Sequence, residues 1–149
     1  MLESVIEFRV RYAETDQMGV VYHTNYLVWC EMGRTDLIRR LGTSYADLEA
    51  RGTFLAVSEA RVRFRAPTRY DDMVRVRTRL TRLRSRGVSF AYWVEDVKTG
   101  TVLAEAETDL ICLDRAGSPR KLSPEVREVL EAALEGVPDE GTKDALSGV

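Results

Sequence analysis

The chain has 149 residues, 44% of them hydrophobic and 31% charged, with a formal charge of −2 and one histidine. That length predicts a single domain with its own core, and the balanced charge gives no overall pull toward nucleic acid. No apolar run approaches the roughly 20 residues a membrane-spanning helix needs, and the start of the chain lacks the basic and apolar regions of a secretory signal. Cys30 and Cys112 stand far apart without a histidine cluster, which argues against a disulfide framework and against a metal site. Both read as small buried residues in a cytoplasmic protein that needs no cofactor.

Residues 5–12 alternate, with Ile6, Phe8, Val10 and Tyr12 on one face and Glu7, Arg9 and Arg11 on the other. This predicts a half-buried strand that points Tyr12 inward. Residues 13–23 are irregular, with Gly19 as the backbone pivot. A helix is expected from Thr24 or Asn25 to Leu41, with Leu27, Cys30, Arg34, Leu37, Ile38 and Leu41 at helical spacing. Either of its first two residues can cap it, and Gly42 stops it.

A short helical turn over 44–51 leads to four alternating segments, 57–66, 74–80, 88–97 and 101–113. In the first, Ala60, Val62, Phe64 and Ala66 oppose Arg61, Arg63 and Arg65; in the second, Val74, Val76, Thr78 and Leu80 oppose Arg75, Arg77 and Arg79. Each predicts a strand with one wet face, and the turn residues at 84–87 and 98–100 predict hairpins, so the four read as a meander. The arginines alternate with apolar residues and have few aromatic neighbours, which favours a solvated sheet face over a nucleic-acid surface. Ser123-Pro124 opens a final helix striped by Val126, Val129, Leu130 and Ala133.

The expectation is therefore one α+β domain over residues 1–135, with a mobile tail over 136–149. A five-stranded antiparallel sheet wraps its apolar face around the long helix, and its open edges favour pairing between subunits.

Chemistry concentrates in the segment joining the first strand to the long helix, which holds Asp16, Gly19 and His23. A carboxylate, a titratable ring and the free amides of a helix start are three ingredients of acyl chemistry. Taken singly, Asp16 reads as a turn former and His23 as a helix cap or packed ring. Tyr12 is equally a core tyrosine, Asn25 equally a cap, and Tyr26 a packing residue.

The run Thr15-Asp16-Gln17-Met18-Gly19-Val20-Val21-Tyr22-His23-Thr24-Asn25-Tyr26, followed by Glu31-Met-Gly-Arg-Thr35, resembles the hotdog-fold acyl-CoA thioesterases of the 4-hydroxybenzoyl-CoA thioesterase family, YbgC-like branch. The resemblance implies a sheet wrapped around a central helix, and a homodimer or homotetramer with active sites between subunits. It implies an acyl-CoA substrate, with acyl carrier protein as a further possible partner. Asp16 would be the catalytic carboxylate, either attacking the thioester carbonyl or activating a water. His23 would orient or polarise the carbonyl, and Tyr12 would hold the site by hydrogen bonding. Gly19, Val20, Val21, Tyr22, Thr24, Asn25 and Tyr26 would surround the substrate.

Arg65, Arg84 and Arg86, near strand ends, are candidates for the phosphates of coenzyme A. Glu31, two turns along the helix, is a rival carboxylate read more simply as an exposed or interface residue, and Glu59 reads as outward-facing. Two other functions fit the same residues. A dehydratase acting on 3-hydroxyacyl thioesters would yield an enoyl product without free thiol, and a binding module would hold acyl thioesters without turnover.

Overall fold

Apolar and charged residues alternating at a period of two build five strands, and two helical stripes build the layer that covers them. In this computed structural model residues 1–135 are described, so the tail expected over 136–149 lies outside the described residues. The elements are β1 (Glu3–Arg9), a 3-10 turn (Tyr12–Glu14), α1 (Asn25–Arg40), α2 (Tyr45–Ala50), β2 (Phe54–Phe64), β3 (Met73–Leu83), β4 (Gly87–Asp96), β5 (Val102–Leu113) and α3 (Pro124–Glu135). All pairings are antiparallel, and the strand order is β1-β3-β4-β5-β2.

That order corrects the expected meander. Strands β3, β4 and β5 follow one another as hairpins, but β2 pairs with β5 and stands at the sheet edge, away from β3. Its position also leaves its inward face partly uncovered. Ala60 and Phe64, expected inward, lie on that face opposite the buried Thr108 and Ala104, with Phe64 against Tyr26 of α1, yet both are exposed because no further strand flanks them. Irregular register at Val57/Glu59, Leu80/Arg82 and Val94/Glu95 bends β2, β3 and β4, which is how a twisted sheet curls around a helix.

The curled sheet holds α1. Trp29, Cys30, Leu37 and Ile38 are fully buried, packed with Val74, Val76, Leu80, Phe90, Tyr92 and Val94 from the sheet, and each large apolar side chain so buried contributes about 1.5–3 kcal/mol. Leu27, expected on this face, is exposed. The buried stripe at the helix start runs through Tyr26 and Trp29, and Leu27 lies about 100° round the axis from Tyr26.

Helix α1 comes close to β3 at Gly33. A Cβ built there would lie 2.2 Å from Thr78 Oγ1 and 3.1 Å from Val76 Cγ1, so only hydrogen fits between helix and sheet. Next to it, the buried Arg34 donates from Nη1 to the Tyr92 hydroxyl at 2.9 Å, and Tyr92 and Thr108 share a 2.6 Å hydrogen bond. Helix α3 closes the other end of the core with Val126, Leu130 and Ala133, and Ser123 Oγ accepts from Val126 N at its start.

The opposite face of the sheet carries the arginines, and it is a lattice of ion pairs. Arg77 reaches Glu3 and Glu95, Arg79 reaches Glu3, Arg75 reaches Glu7, and Arg61 reaches Glu107, with Trp93 under the guanidinium groups of Arg77 and Arg79.

Gly33→Ala is expected to lose about 1–3 kcal/mol of stability through overpacking, outweighing the roughly 1 kcal/mol that alanine gains in a helix. Urea unfolding checks this, and Thr78→Ala in the same chain should recover part of the loss, because it removes the atom that alanine meets.

Candidate active site

Strand β1 ends at Arg9, and the chain then leaves the sheet through Val10, whose N–H donates to Asp72 O while its carbonyl receives Asp71 N. The 3-10 turn that follows breaks the period of two. Tyr12 is consequently 78% exposed, edge-on to Tyr70 at 5.7 Å, and Glu14 turns inward in its place. The inward tyrosine expected from the alternation is thus corrected, since the strand stops three residues before it.

Residues 15–21 fold back on themselves. Asp16 N donates to Val20 O, Gly19 N to Asp16 O, and a bridge joins Thr15 to Val21. Gly19 at φ +77° makes the reversal, a conformation that disfavours a side chain. Asp16 Oδ1 accepts from Met18 N at 2.9 Å, which locks the carboxylate to its own turn and leaves Oδ2 unclaimed among the described residues.

The chain re-enters at α1. Thr24 is the N-cap residue but makes no side-chain cap, and Asn25 Nδ2 instead donates back to Glu14 O at 2.9 Å. Among the described residues the N–H groups of His23 and Thr24 have no acceptor. The His23 ring is exposed, 4.6 Å from the Tyr22 ring and 6.2 Å from Phe64. A cavity of about 300 Å³ opens beside it, lined by Val21, His23, Tyr26, Phe64, Arg65, Ala66 and Pro67. No hydrogen bond or ion pair joins Asp16 to His23 directly; the folded-back turn and the helix start are linked through the backbone of Glu14, whose carbonyl also receives Tyr22 N at 2.8 Å.

Residues 10–134 match the model of the thioesterase-like superfamily. The chain belongs to that superfamily. The acyl-CoA thioester hydrolase YbgC of Escherichia coli is 34% identical over 116 residues, covering 78% of this chain and 83% of the relative. A DHNA-CoA thioesterase from Staphylococcus aureus superposes with a TM-score of 0.85 at 33% identity, covering 93% of this chain and 98% of that one. The hypothetical protein TT1821 from Thermus thermophilus superposes at 0.82 with 42% identity, covering 89% and 98%. The hotdog fold expected from the motif is borne out.

In this thioesterase-like chain the remaining candidate residues separate into distinct places. Arg65 lines the His23 cavity and pairs with Glu105 at 2.9 Å. Arg84 sits apart, on the face away from α1, donating to Ser89 Oγ and Asp109, whose carboxyl the Ser89 hydroxyl and Arg84 hold below the usual carboxylate range. Arg86 is exposed in the β3–β4 turn. Glu31 faces a groove between β1 and α1 with Ile6, Phe8 and Met32, and Glu59 is outward, paired with Arg61. Of the motif's apolar positions, Val21 and Tyr26 are buried in the cavity wall, and burial pushes the Tyr26 phenol up from its ordinary value.

Glu14 was not legible as a site residue. It is 4% exposed, accepts from Arg11 N at 2.8 Å and from the Trp29 indole at 2.7 Å, and stands in the turn that interrupts the alternation. A signal existed in its place two residues before Asp16, outside any strand pattern and ahead of a helix with a tryptophan on its inner face.

Among the described residues no cluster of His, Cys, Asp and Glu forms that could hold a metal ion, and no helix is long and apolar enough to cross a membrane. Both cysteines are fully buried; burial pushes the Cys30 thiol up to about 12 and raises Cys112 as well. A raised thiol stays protonated and unreactive at pH 8. A chromogenic thiol reagent should therefore label neither cysteine in the native protein and both in denaturant, and rapid native labelling of Cys30 would contradict its burial against the sheet.

Proposed function

We propose that the protein hydrolyses an acyl-CoA thioester to the free acid and CoA at a site built from Asp16, the amino end of α1 and the cavity beside His23. One observation carries the reading: a carboxylate fixed to its own turn, with one oxygen unclaimed among the described residues, is tied through Glu14 to the start of a buried helix, and just ahead of that helix the amides of His23 and Thr24 lack acceptors among the described residues. Membership of the thioesterase-like superfamily supports it.

Attack on a thioester carbonyl places negative charge on its oxygen. Preorganised N–H donors aimed at that charge are worth about 2.7–4 kcal/mol each, and the positive end of the helix adds to them. Asp16 then acts in one of two ways. It attacks the carbonyl carbon, the C–S bond breaks as CoA leaves, and water cleaves the mixed anhydride to the free acid. Alternatively it takes a proton from a water whose oxygen forms the new C–O bond while the thiolate leaves. Either route depends on how the carboxylate is placed against the carbonyl. His23 orients the carbonyl from the helix start, and Val21, Tyr26 and Phe64 offer the acyl group an apolar wall.

Arg65, at the cavity, is the arginine best placed for a CoA phosphate, whereas Arg84 and Arg86 lie in other parts of the fold. Tyr12 belongs to the exposed rim with Tyr70. The unpaired edge of β2, exposed on both faces beside the cavity, supports assembly as a dimer through that strand, and the buried cysteines suit a cytoplasmic setting. Acyl carrier protein presents the same thioester chemistry and is a second candidate carrier.

A thiol-release screen across aromatic and aliphatic CoA thioesters tests the reaction and the acyl preference together. Asp16→Asn should lose roughly 10²–10⁴-fold in kcat, and His23→Ala less, about tenfold to a hundredfold, because the backbone donors stay. A folded Asp16→Asn protein that releases thiol at the parent rate would remove the proposal. Light scattering on the eluted protein should give at least twice the chain mass of 16.9 kDa, and a monomer that is fully active would sink the shared-site arrangement.

A further inference from the structure

We infer that Glu14 is a positioning residue of the site, the clamp that holds the turn carrying Asp16 against the helix start carrying His23; the inference rests on the reading of Asp16 as the reacting carboxylate. Four hydrogen bonds converge on this residue from three parts of the chain. Its carboxylate takes Arg11 N at the strand exit and Trp29 Nε1 on α1, one on each oxygen, at 2.8 and 2.7 Å. Its carbonyl takes Tyr22 N and Asn25 Nδ2 at 2.8 and 2.9 Å.

The environment favours a placement role over simple packing. A carboxylate buried to this degree costs free energy unless its oxygens are occupied, so an apolar residue would fill the same space more cheaply. The guanidinium of Arg11 is 3.5 Å away and its side chain is 75% exposed, so it screens the charge weakly and the directional N–H donors do most of the holding. Trp29 cannot move to follow a displaced partner. It is fully buried, with Phe8 and Tyr26 rings at 5.2 and 4.9 Å.

Asp16 follows Glu14 by two residues, and His23 follows Tyr22 directly. Loosening Glu14 therefore shifts the carboxylate relative to the amides of His23 and Thr24 without removing any group that meets substrate. Misplacement on the order of 1 Å costs about a hundredfold in rate.

The test is Glu14→Gln, which keeps the shape but turns an NH2 toward one of the two donors. Steady-state thiol release, well below the unfolding temperature and per mole of folded protein, should show kcat reduced by roughly tenfold to a hundredfold with KM within about twofold. The ¹H–¹⁵N indole resonance of Trp29, assigned with Trp93→Phe, should move in Glu14→Gln. Trp29→Phe combined with Glu14→Gln should regain part of the lost kcat, because the opposed donor is gone. A role in folding alone predicts normal kcat per folded molecule and no such recovery, and either result overturns the inference. If Glu14→Gln does not fold, Trp29→Phe alone gives the same reading, with reduced kcat in support and parent kcat against. Asp16→Asn is measured in parallel. Thiol release by that variant at the parent rate defeats the reading of Asp16, whereas an inactive Asp16→Asn beside a fully active Glu14→Gln defeats the role of Glu14 alone.

Discussion

The missing side chain at Gly33 is the constraint from which the rest of the arrangement follows. With only hydrogen between α1 and Thr78, the helix axis sits as near β3 as a backbone can, and the sheet curls until β1 and β4 also reach it. That depth puts Trp29 and Cys30 wholly inside. It also places the first turn of α1 beside the strand exit, so that one buried glutamate can touch both.

Charge is distributed in two different ways on the two faces of the sheet. Outside, arginines and glutamates on neighbouring strands neutralise each other in a lattice, with Trp93 as an apolar floor for two guanidinium groups. Inside, Arg34 has hydroxyl company in place of a carboxylate. It donates to Tyr92, and its Nε has no acceptor among the described residues. Phenols thus surround this buried guanidinium, and the Tyr45 and Tyr92 hydroxyls stay protonated because burial raises them from their ordinary values. The anionic chemistry proposed for Asp16 is kept apart from this interior, in the loop at the helix start.

Local patterns carried far in this chain, and failed where a local rule was extended past its element. The long helix, its stop before Gly42, both hairpin turns and the proline-led last helix were legible because each depends on neighbours within a few residues. Alternation also located the strands, yet nothing local distinguishes β2 as an edge strand paired with β5, since that choice is made by contacts about 50 residues away. Tyr12 and Glu14 show the same limit at the site. Alternation continued through the 3-10 turn puts both on the inward face, whereas the turn exposes the tyrosine and keeps only the glutamate inside. The motif from Thr15 to Tyr26 located the candidate chemistry, whereas the hydrogen bonds that fix it come from residues whose roles appear only after folding.

The strand order also sets a timetable. Strands β1 and β2, the two edges, are both earlier in the chain than the three central strands, and Glu3 meets Arg79 only after the intervening helix and edge strand have been made. During synthesis α1 leaves the ribosome with its apolar stripe uncovered and waits for β3 and β4 to form the bed it lies in. Pairings so distant in sequence slow folding, and they make the hairpins of β3, β4 and β5 the natural nucleus onto which the earlier segments return. The loop bearing Asp16 is synthesised before the central strands that position α1 beside it.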